Sequence, residues 1–415
     1  MPKRTVTSFA LLLLSISFSS FAALCVLQRV PMADVLVYRA EGEAVLHGGD
    51  LYGFTVTEWR LPATYPPFAA VLFVPTTWIP VPALKLTFLA GNALLLATFV
   101  ALSARLAGRT ARLPLLCAAT ALALWLEPVF QTVLFGQINL AVACLVLWDL
   151  TRPPGARGRG VALGLATGIK LTPAVFVAYL FLTGRRREAG TATAVFAATV
   201  GLGALVLPAA GVDFWTSRLY DTGRVGKAWI IDNQSLQGLI ARLLGDPAPG
   251  VVWALPAALL AAFGMWLAVR SRDERHGILL TAGTALLVSP ISWSHHWVWC
   301  VPLLAVLLAD GRTRLAALTA ALFTARTMWL LPHEGDRDLH FLWWQQPLAS
   351  PYPLFGLALL AAIALRGRSV AGVAEDAQVG GLVAGVEHDV HPGPAHGALV
   401  DQRLLTLGPD RHVRE

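Results

Sequence analysis

The stretch VALGLATGIKLTPAVFVAYLFLT, residues 161–183, carries one charged side chain, Lys170, with Gly168 before it and Pro173 after it. Arg157 and Arg159 stand ahead of the stretch and Arg185, Arg186 and Arg187 follow it. At 1.5 Å per helical residue, ten residues on either side of Lys170 reach only about half of a ~30 Å hydrocarbon core. The chain leaves a basic end, stops midway and returns to a basic end, which is a broken hairpin inside a membrane. Helices that stop early need their free ends buried in protein or wet, so the break predicts a cavity. A lysine there costs at least ~2.5 kcal/mol unless paired or solvated, which makes Lys170 a functional candidate. The other reading is a lysine snorkelling to an interface.

The same punctuation recurs outward from this hairpin. Cations cluster at Lys3/Arg4, Arg105/Arg109/Arg112, Arg152/Arg157/Arg159, Arg185 to Arg187, Arg270/Arg272/Arg275, Arg312/Arg314 and Arg366/Arg368, with apolar sequence between neighbours long enough to cross and return. If basic loops stay inside, both termini are cytoplasmic, and Asp34, Tyr65, Gln137, Asn139, Lys170, Asn233, His295 and His296 fall toward the outer side. A chain 56% hydrophobic and 14% charged is far from the roughly 25% charged average of soluble domains. Phe9 to Val30, Ala83 to Ala104, Thr191 to Ala210 and Val251 to Val269 approach the ~20 residues of a spanning helix. No alternating pattern of about ten residues points to a barrel. The expectation is an all-α polytopic protein of the plasma membrane with roughly 10–12 membrane segments, some short or broken.

The first apolar run follows Lys3 and Arg4 as a signal peptide would, but it continues through Cys25 to Val30, so it is read as a retained anchor. Cys25, Cys117, Cys144 and Cys300 lie in or beside apolar stretches without metal-ligand spacing and are read as small buried hydrophobes. The net charge of +7 understates the first 368 residues, which carry +11 over dispersed short loops, because residues 369–415 hold seven acidic side chains against three basic ones. That suits anionic membrane lipids as partners and excludes nucleic acid, which would need a basic stripe or a recognition helix.

Residues 1–368 read as one transmembrane domain with outer loops at about 31–64 and 211–249. Residues 369–415, rich in Gly, Val and His, read as a disordered cytoplasmic tail. The piece Pro67 to Ile79 is expected to dip into the membrane or lie along it, and Leu113 to Asp149 is interrupted at Glu127-Pro128 and at Gln137 and Asn139. The long loop 211–249 carries Arg218, Arg224 and Lys227 on the outer face, which long loops tolerate. No part of the chain could form a soluble nucleotide-sugar domain, and Gly155 to Gly164 lacks both the preceding strand and the spacing of a dinucleotide fingerprint. An enzyme working on the outer face therefore needs a donor that arrives through the membrane, and a lipid phosphate is the natural one.

Six short motifs occur in order: Asp34 with Val37-Tyr38 and Gly49-Asp50-Leu51-Tyr52; Thr64-Tyr65-Pro66-Pro67-Phe68; Phe135-Gly136-Gln137-Ile138-Asn139-Leu140; Gly168-Ile169-Lys170-Leu171-Thr172-Pro173; Asn233-Gln234-Ser235-Leu236; and Ser289-Pro290-Ile291-Ser292-Trp293-Ser294-His295-His296. In this the chain resembles the glycosyltransferase 87 family, the polyprenol-phosphate-mannose-dependent α-(1→2)-mannosyltransferases of actinobacteria, over about residues 10–366. The resemblance implies a GT-C membrane fold and transfer of a sugar, mannose by expectation, from a polyprenyl-phosphate donor to a hydroxyl of a glycolipid or glycan acceptor, with inversion, at a site facing the extracytoplasmic side.

Asp34, placed just after the first span as the family's catalytic aspartate is, is the expected base, with Asp50 and Glu58 as competing carboxylates. The leaving phosphate calls for cations: Lys170 first, then Arg218, Arg224 and Lys227. Tyr65, Gln137, Asn139, Asn233, Gln234, His295 and His296 are the expected substrate-binding set. Turn or capping duties remain open for the amides and a structural role for the histidine pair. Were residues 292–296 helical, Ser292, His295 and His296 would share a face. The run His333-Glu334-Gly335-Asp336-Arg337-Asp338-Leu339-His340 lacks the spacing of a metal loop and reads as a solvated connection. No cofactor is expected, although a divalent metal is not excluded. The alternative from another class is a transporter or flippase of a lipid-linked sugar, which also uses broken helices and an intramembrane lysine.

Overall fold

Four uninterrupted apolar helices set the frame, and the breaks between the shorter ones make room for a site. The structure, a computed structural model, describes residues 3–365; the tail expected at 369–415 lies outside the described residues. In chain order the first elements are α1 (Lys3–Leu27), α2 (Ala33–His47), β1 (Thr55–Val56), β2 (Leu61–Pro62), α3 (Pro67–Phe73), α4 (Val81–Leu106), α5 (Leu113–Ala123), α6 (Glu127–Phe135) and α7 (Asn139–Leu150). Then come α8 (Val161–Ile169), α9 (Ala174–Leu182), α10 (Arg186–Val206), α11 (Pro208–Asp213), α12 (Leu236–Leu244), α13 (Val251–Arg270), α14 (Glu274–Val288), α15 (Cys300–Ala309), α16 (Thr313–Ala325), α17 (Gln346–Ala349) and α18 (Pro351–Leu365). The strands form one antiparallel hairpin, Thr55 opposite Pro62 and Val56 opposite Leu61. Met1–Ala362 form one compact unit; of the second, Ile363–Glu415, only the end of α18 is described.

Among the described residues, Thr5–Leu27 of α1, α4, α10 and α13 are long and apolar enough to cross a membrane. The expected second and fourth spans match α4 and α13 to within two residues, while the first, expected from Phe9 to Val30, starts earlier and ends at Leu27. The third does not run from Thr191 to Ala210. It begins at Arg186 and ends at Val206, because Leu207 leaves helical geometry at φ −131°, ψ 70°, as a residue before proline tends to do. Two further apolar helix pairs are bent at a short break: α5 meets α6 at 79°, and Trp343–Ala349 meets α18 at 86°. The expected interruption at Glu127 is thus a corner, and the expected break between residues 168 and 173 separates α8 from α9. Pro67 to Ile79 is α3 followed by a 3₁₀ turn, Val74–Trp78. Residues 31–64, expected as an outer loop, hold α2 and the β-hairpin.

Glycines let α8 lie against α10. A Cβ at Gly164 would fall 2.5 Å from the Ala192 carbonyl oxygen, and one at Gly168 2.2 Å from Thr199 Oγ1. Small residues four apart permit this close approach where lipid supplies no hydrophobic drive. The start of α8 is fixed by Asp149, whose carboxylate accepts the Gly160 and Leu163 amides at 2.9 Å. Beside it the buried Arg159 pairs with Glu188 at 3.4 Å and Glu274 at 3.2 Å, and Glu274 also binds Arg185. From this charged end α8 carries the chain roughly 14 Å, at 1.5 Å per residue, to the break at Lys170.

Candidate active site

Helix α2 begins the site. Asp34, Tyr38 and Glu41 follow the i, i+4, i+7 spacing and share one face. Across from it, α6 ends at Gly136 in the left-handed region (φ 72°), where a Cβ would sit 2.3 Å from Val35 Cγ2. Only glycine allows the α6–α7 turn to touch α2, and this contact sets Gln137 over Asp34 and Tyr38. Tyr38 and Tyr65 each donate from their hydroxyls to Gln137 Oε1 at 3.1 Å. With its oxygen occupied, the Gln137 amide is left to donate to Asp34.

Lys170, at the break between α8 and α9, donates to Asn139 Oδ1 at 2.9 Å and to His296 Nε2 at 3.0 Å, and its ammonium lies 5.3 Å from the centre of the Tyr65 ring. An ammonium only donates, so His296 is neutral with its proton on Nδ1. Among the described residues no carboxylate comes within ion-pair distance of Lys170. Asp34 acts on it through space instead. Burial pushes the Asp34 carboxyl up to about 7, against the Gln137 hydrogen bond and the Lys170 charge, which both pull it down; Asp232 adds a smaller upward push.

Asp34, Tyr38, Tyr65, Gln137, Lys170 and His296 line one cavity of about 220 Å³, together with Arg218 and Arg224 of the segment 211–249. A second, narrower cavity of about 70 Å³ runs between α7, α9 and α14; its lining is mostly apolar, including Val142, Phe176, Leu286 and Trp299. The two cavities share Lys170 and His296 as a common wall.

Other expected site residues lie elsewhere. His295 is buried edge-on against the rings of Phe135 and His296, and its backbone carbonyl, accepting from Thr132 and Asn139, does the polar work. The Asn233 amide accepts from the Ser292 amide at 2.9 Å and donates to the carbonyls of Pro290 at 3.0 Å and Ala228 at 2.7 Å. Gln234 donates to the carbonyls of Ile231 and Ala349 and accepts from the Tyr352 amide. These amides stitch the segment 211–249 to the residues that precede His296, as does Asp232, whose backbone and side-chain oxygens both accept from the Ser294 amide. Ser292 lies outside the 3₁₀ helix Ser294–Trp299, so it does not share a helical face with the histidines.

Lys227 is exposed and paired with Asp336 at 2.7 Å, away from the cavity. Asp50 caps its own turn by accepting the Tyr52 amide at 3.0 Å, and Glu58 sits in the turn between β1 and β2; neither lines the cavity. In the loop around His333, Asp336 holds Lys227 and Asp338 accepts the Ile231 amide at 2.7 Å. Among the described residues no group of three or more His, Cys, Asp or Glu side chains is arranged to hold a metal ion. Tyr38 and Trp293 stand in the quoted motifs but were given no role, and Asp221, which also lines the cavity, was missed, as was Glu41, buried behind it on α2. The signal for Tyr38 and Glu41 was available in the helical spacing from Asp34.

Residues 63–290 match the family model described as glycosyltransferase family 87. That interval contains Tyr65, Gln137, Asn139, Lys170, Arg218 and Arg224, while Asp34 and His296 fall outside it. The chain is 34% identical over 361 residues, covering 80% of itself and 84% of the relative, to a polyprenol-phosphate-mannose-dependent alpha-(1-2)-phosphatidylinositol mannoside mannosyltransferase of Mycobacterium tuberculosis (strain ATCC 25618 / H37Rv). It is 36% identical over 324 residues, 75% of each chain, to a polyprenol-phosphate-mannose-dependent alpha-(1-2)-phosphatidylinositol pentamannoside mannosyltransferase of Mycobacterium tuberculosis (strain CDC 1551 / Oshkosh). A protein with the latter description from Mycolicibacterium smegmatis (strain ATCC 700084 / mc(2)155) is 38% identical over 292 residues, 66% of this chain and 69% of the relative. No solved structure matches the chain. With its apolar helices, its lysine-bearing break and this similarity, the chain belongs to glycosyltransferase family 87 and is a membrane glycosyltransferase of the GT-C type.

Proposed function

We propose that the enzyme moves mannose from polyprenyl-phosphate mannose to a hydroxyl of a phosphatidylinositol mannoside glycolipid on the extracytoplasmic face, with inversion. The observation that carries this reading is a carboxylate, Asp34, and a cation, Lys170, facing one cavity whose Lys170 wall also borders an apolar groove. The donor's phosphate sits at Lys170 and His296, its prenyl chain runs into the groove, and its sugar projects into the polar cavity. The acceptor hydroxyl oxygen attacks the anomeric carbon from the side opposite the phosphate. As that bond forms, the bond from the anomeric carbon to the phosphate oxygen breaks, its electron pair stays on the phosphate, and the hydroxyl proton passes to Asp34. Lys170 meets the charge gathering on the leaving group. Gln137 orients Asp34, and Tyr38 and Tyr65 hold Gln137.

The names of the relatives support the choice of mannose and of the glycolipid. Arginine-rich loops support a cytoplasmic location for the opposite end of the helices and for the termini. The test is an assay of the purified full-length enzyme in detergent with labelled polyprenyl-phosphate mannose and a phosphatidylinositol mannoside. Lengthened glycolipid formed without any vesicle compartment supports the reading. Consumption of no donor under these conditions overturns it.

A further inference from the structure

We propose that Arg218 and Arg224 form a second anion subsite, on the acceptor side, which recognises a phosphorylated polyol carried by the acceptor. This rests on the roles given above to Asp34 and Lys170. The cavity has cationic groups at two places along α2. Lys170 acts on Asp34, whereas Arg224 acts on Glu41, seven residues further along the same helical face. Lys170 lies against the Tyr65 ring and lines both cavities, whereas Arg218 and Arg224 lie against the Tyr52 ring and line only the larger one. The Lys170 end borders the apolar groove and suits the lipid-linked leaving group. In an inverting displacement the acceptor approaches from the other side of the sugar, and the arginines, which do not border the groove, are left to meet it.

The two guanidinium groups flank one aromatic ring: the Arg218 and Arg224 carbons lie 5.9 and 5.4 Å from the centre of Tyr52. Tyr52 is held by its own hydroxyl, which donates to the Tyr65 carbonyl at 2.9 Å. Arg224 is half-buried, donates only to the neutral carbonyls of Arg218 and Ala63, and has no carboxylate within ion-pair distance among the described residues. Glu41, Asp213 and Asp221 act on it only from beyond ion-pair distance, so its guanidinium can still take an anion directly. Arg218 is different: Asp213 takes its Nε at 2.8 Å, and Asp221 also lines the cavity. Carboxylates beside guanidinium groups accept from hydroxyls while the arginines bind the anion. The mixture suits a phosphodiester set among hydroxyl groups better than a bare phosphate.

The experiment measures binding to the purified full-length enzyme of two glycolipids with the same terminal mannose: a phosphatidylinositol mannoside and a neutral alkyl mannoside. For Arg218→Gln/Arg224→Gln the preference for the anionic ligand is expected to fall about tenfold or more, while Lys170→Ala leaves that preference in place. Arg224→Lys, which keeps the charge, is expected to retain most of it. An unchanged preference in the double variant, or an equal loss for both ligands, overturns the subsite. Should the double variant fail to fold, salt decides with the wild type. Rising ionic strength must weaken the anionic ligand selectively, and equal salt effects on both ligands overturn the proposal. Turnover of labelled donor is followed in parallel. Its absence in the wild type sinks the transferase reading, while the binding data still decide the subsite.

Discussion

Asp34→Asn removes the carboxylate and keeps the side-chain volume, so kcat is expected to fall on the order of 10²–10⁴-fold while the thermal melting profile in detergent stays near that of the wild type. The pH dependence has a definite sign. With its carboxyl raised to about 7, Asp34 is protonated below that point and cannot accept a proton. The kcat/KM profile should therefore fall on the acid side of about pH 7, and the residual activity of Asp34→Asn should lack that limb. Lys170→Ala removes a charge-assisted contact of about 1.5–3 kcal/mol, so donor KM should rise about 10- to 100-fold. Unchanged donor kinetics would leave the lysine only its bonds to Asn139 and His296. Much of this arrangement can be read from the chain because Asp34, Gln137 and Lys170 are polar residues where apolar ones would be the default. What cannot be read is where an amide side chain is spent. Gln137 and Asn233 look alike in sequence, yet one meets two tyrosines and the other satisfies the backbone of a segment about sixty residues away.

Short elements do the positioning. The break at Lys170 was legible because a charge and a proline interrupt an apolar run, and the corner at Glu127-Pro128 for the same reason. The 3₁₀ helix Ser294–Trp299 was not legible, since its course depends on capping from Asp232, far off in the chain. Asn233→Leu strips the Ser292 amide of its partner in a buried setting, a loss of about 1–3 kcal/mol per orphaned group. We expect lower thermal stability together with a higher donor KM, because the disturbed segment leads to His296. A variant that melts early but keeps its donor KM would confine Asn233 to stability. Gly168→Val drives a side chain into Thr199 and should lower stability by about 1–3 kcal/mol, measured as an earlier melting midpoint, through separation of α8 from α10.

The number of full-length spans could be read from hydropathy and charge, whereas the end of α10 required knowing that Leu207 turns out of the helix. Sidedness is tested across the molecule. With Cys25, the half-buried thiol among the four free cysteines, replaced by serine, Thr222→Cys should react with a membrane-impermeant maleimide on intact cells, and Arg157→Cys only after lysis. Labelling of both in intact cells would refute the proposed orientation. The partition formed by Lys170 and His296 carries a consequence for turnover. On the proposed placement of the donor, the spent carrier would leave by the apolar cavity and the lengthened glycan by the polar one, with Lys170 and His296 between them. Release of one product would then not wait on release of the other.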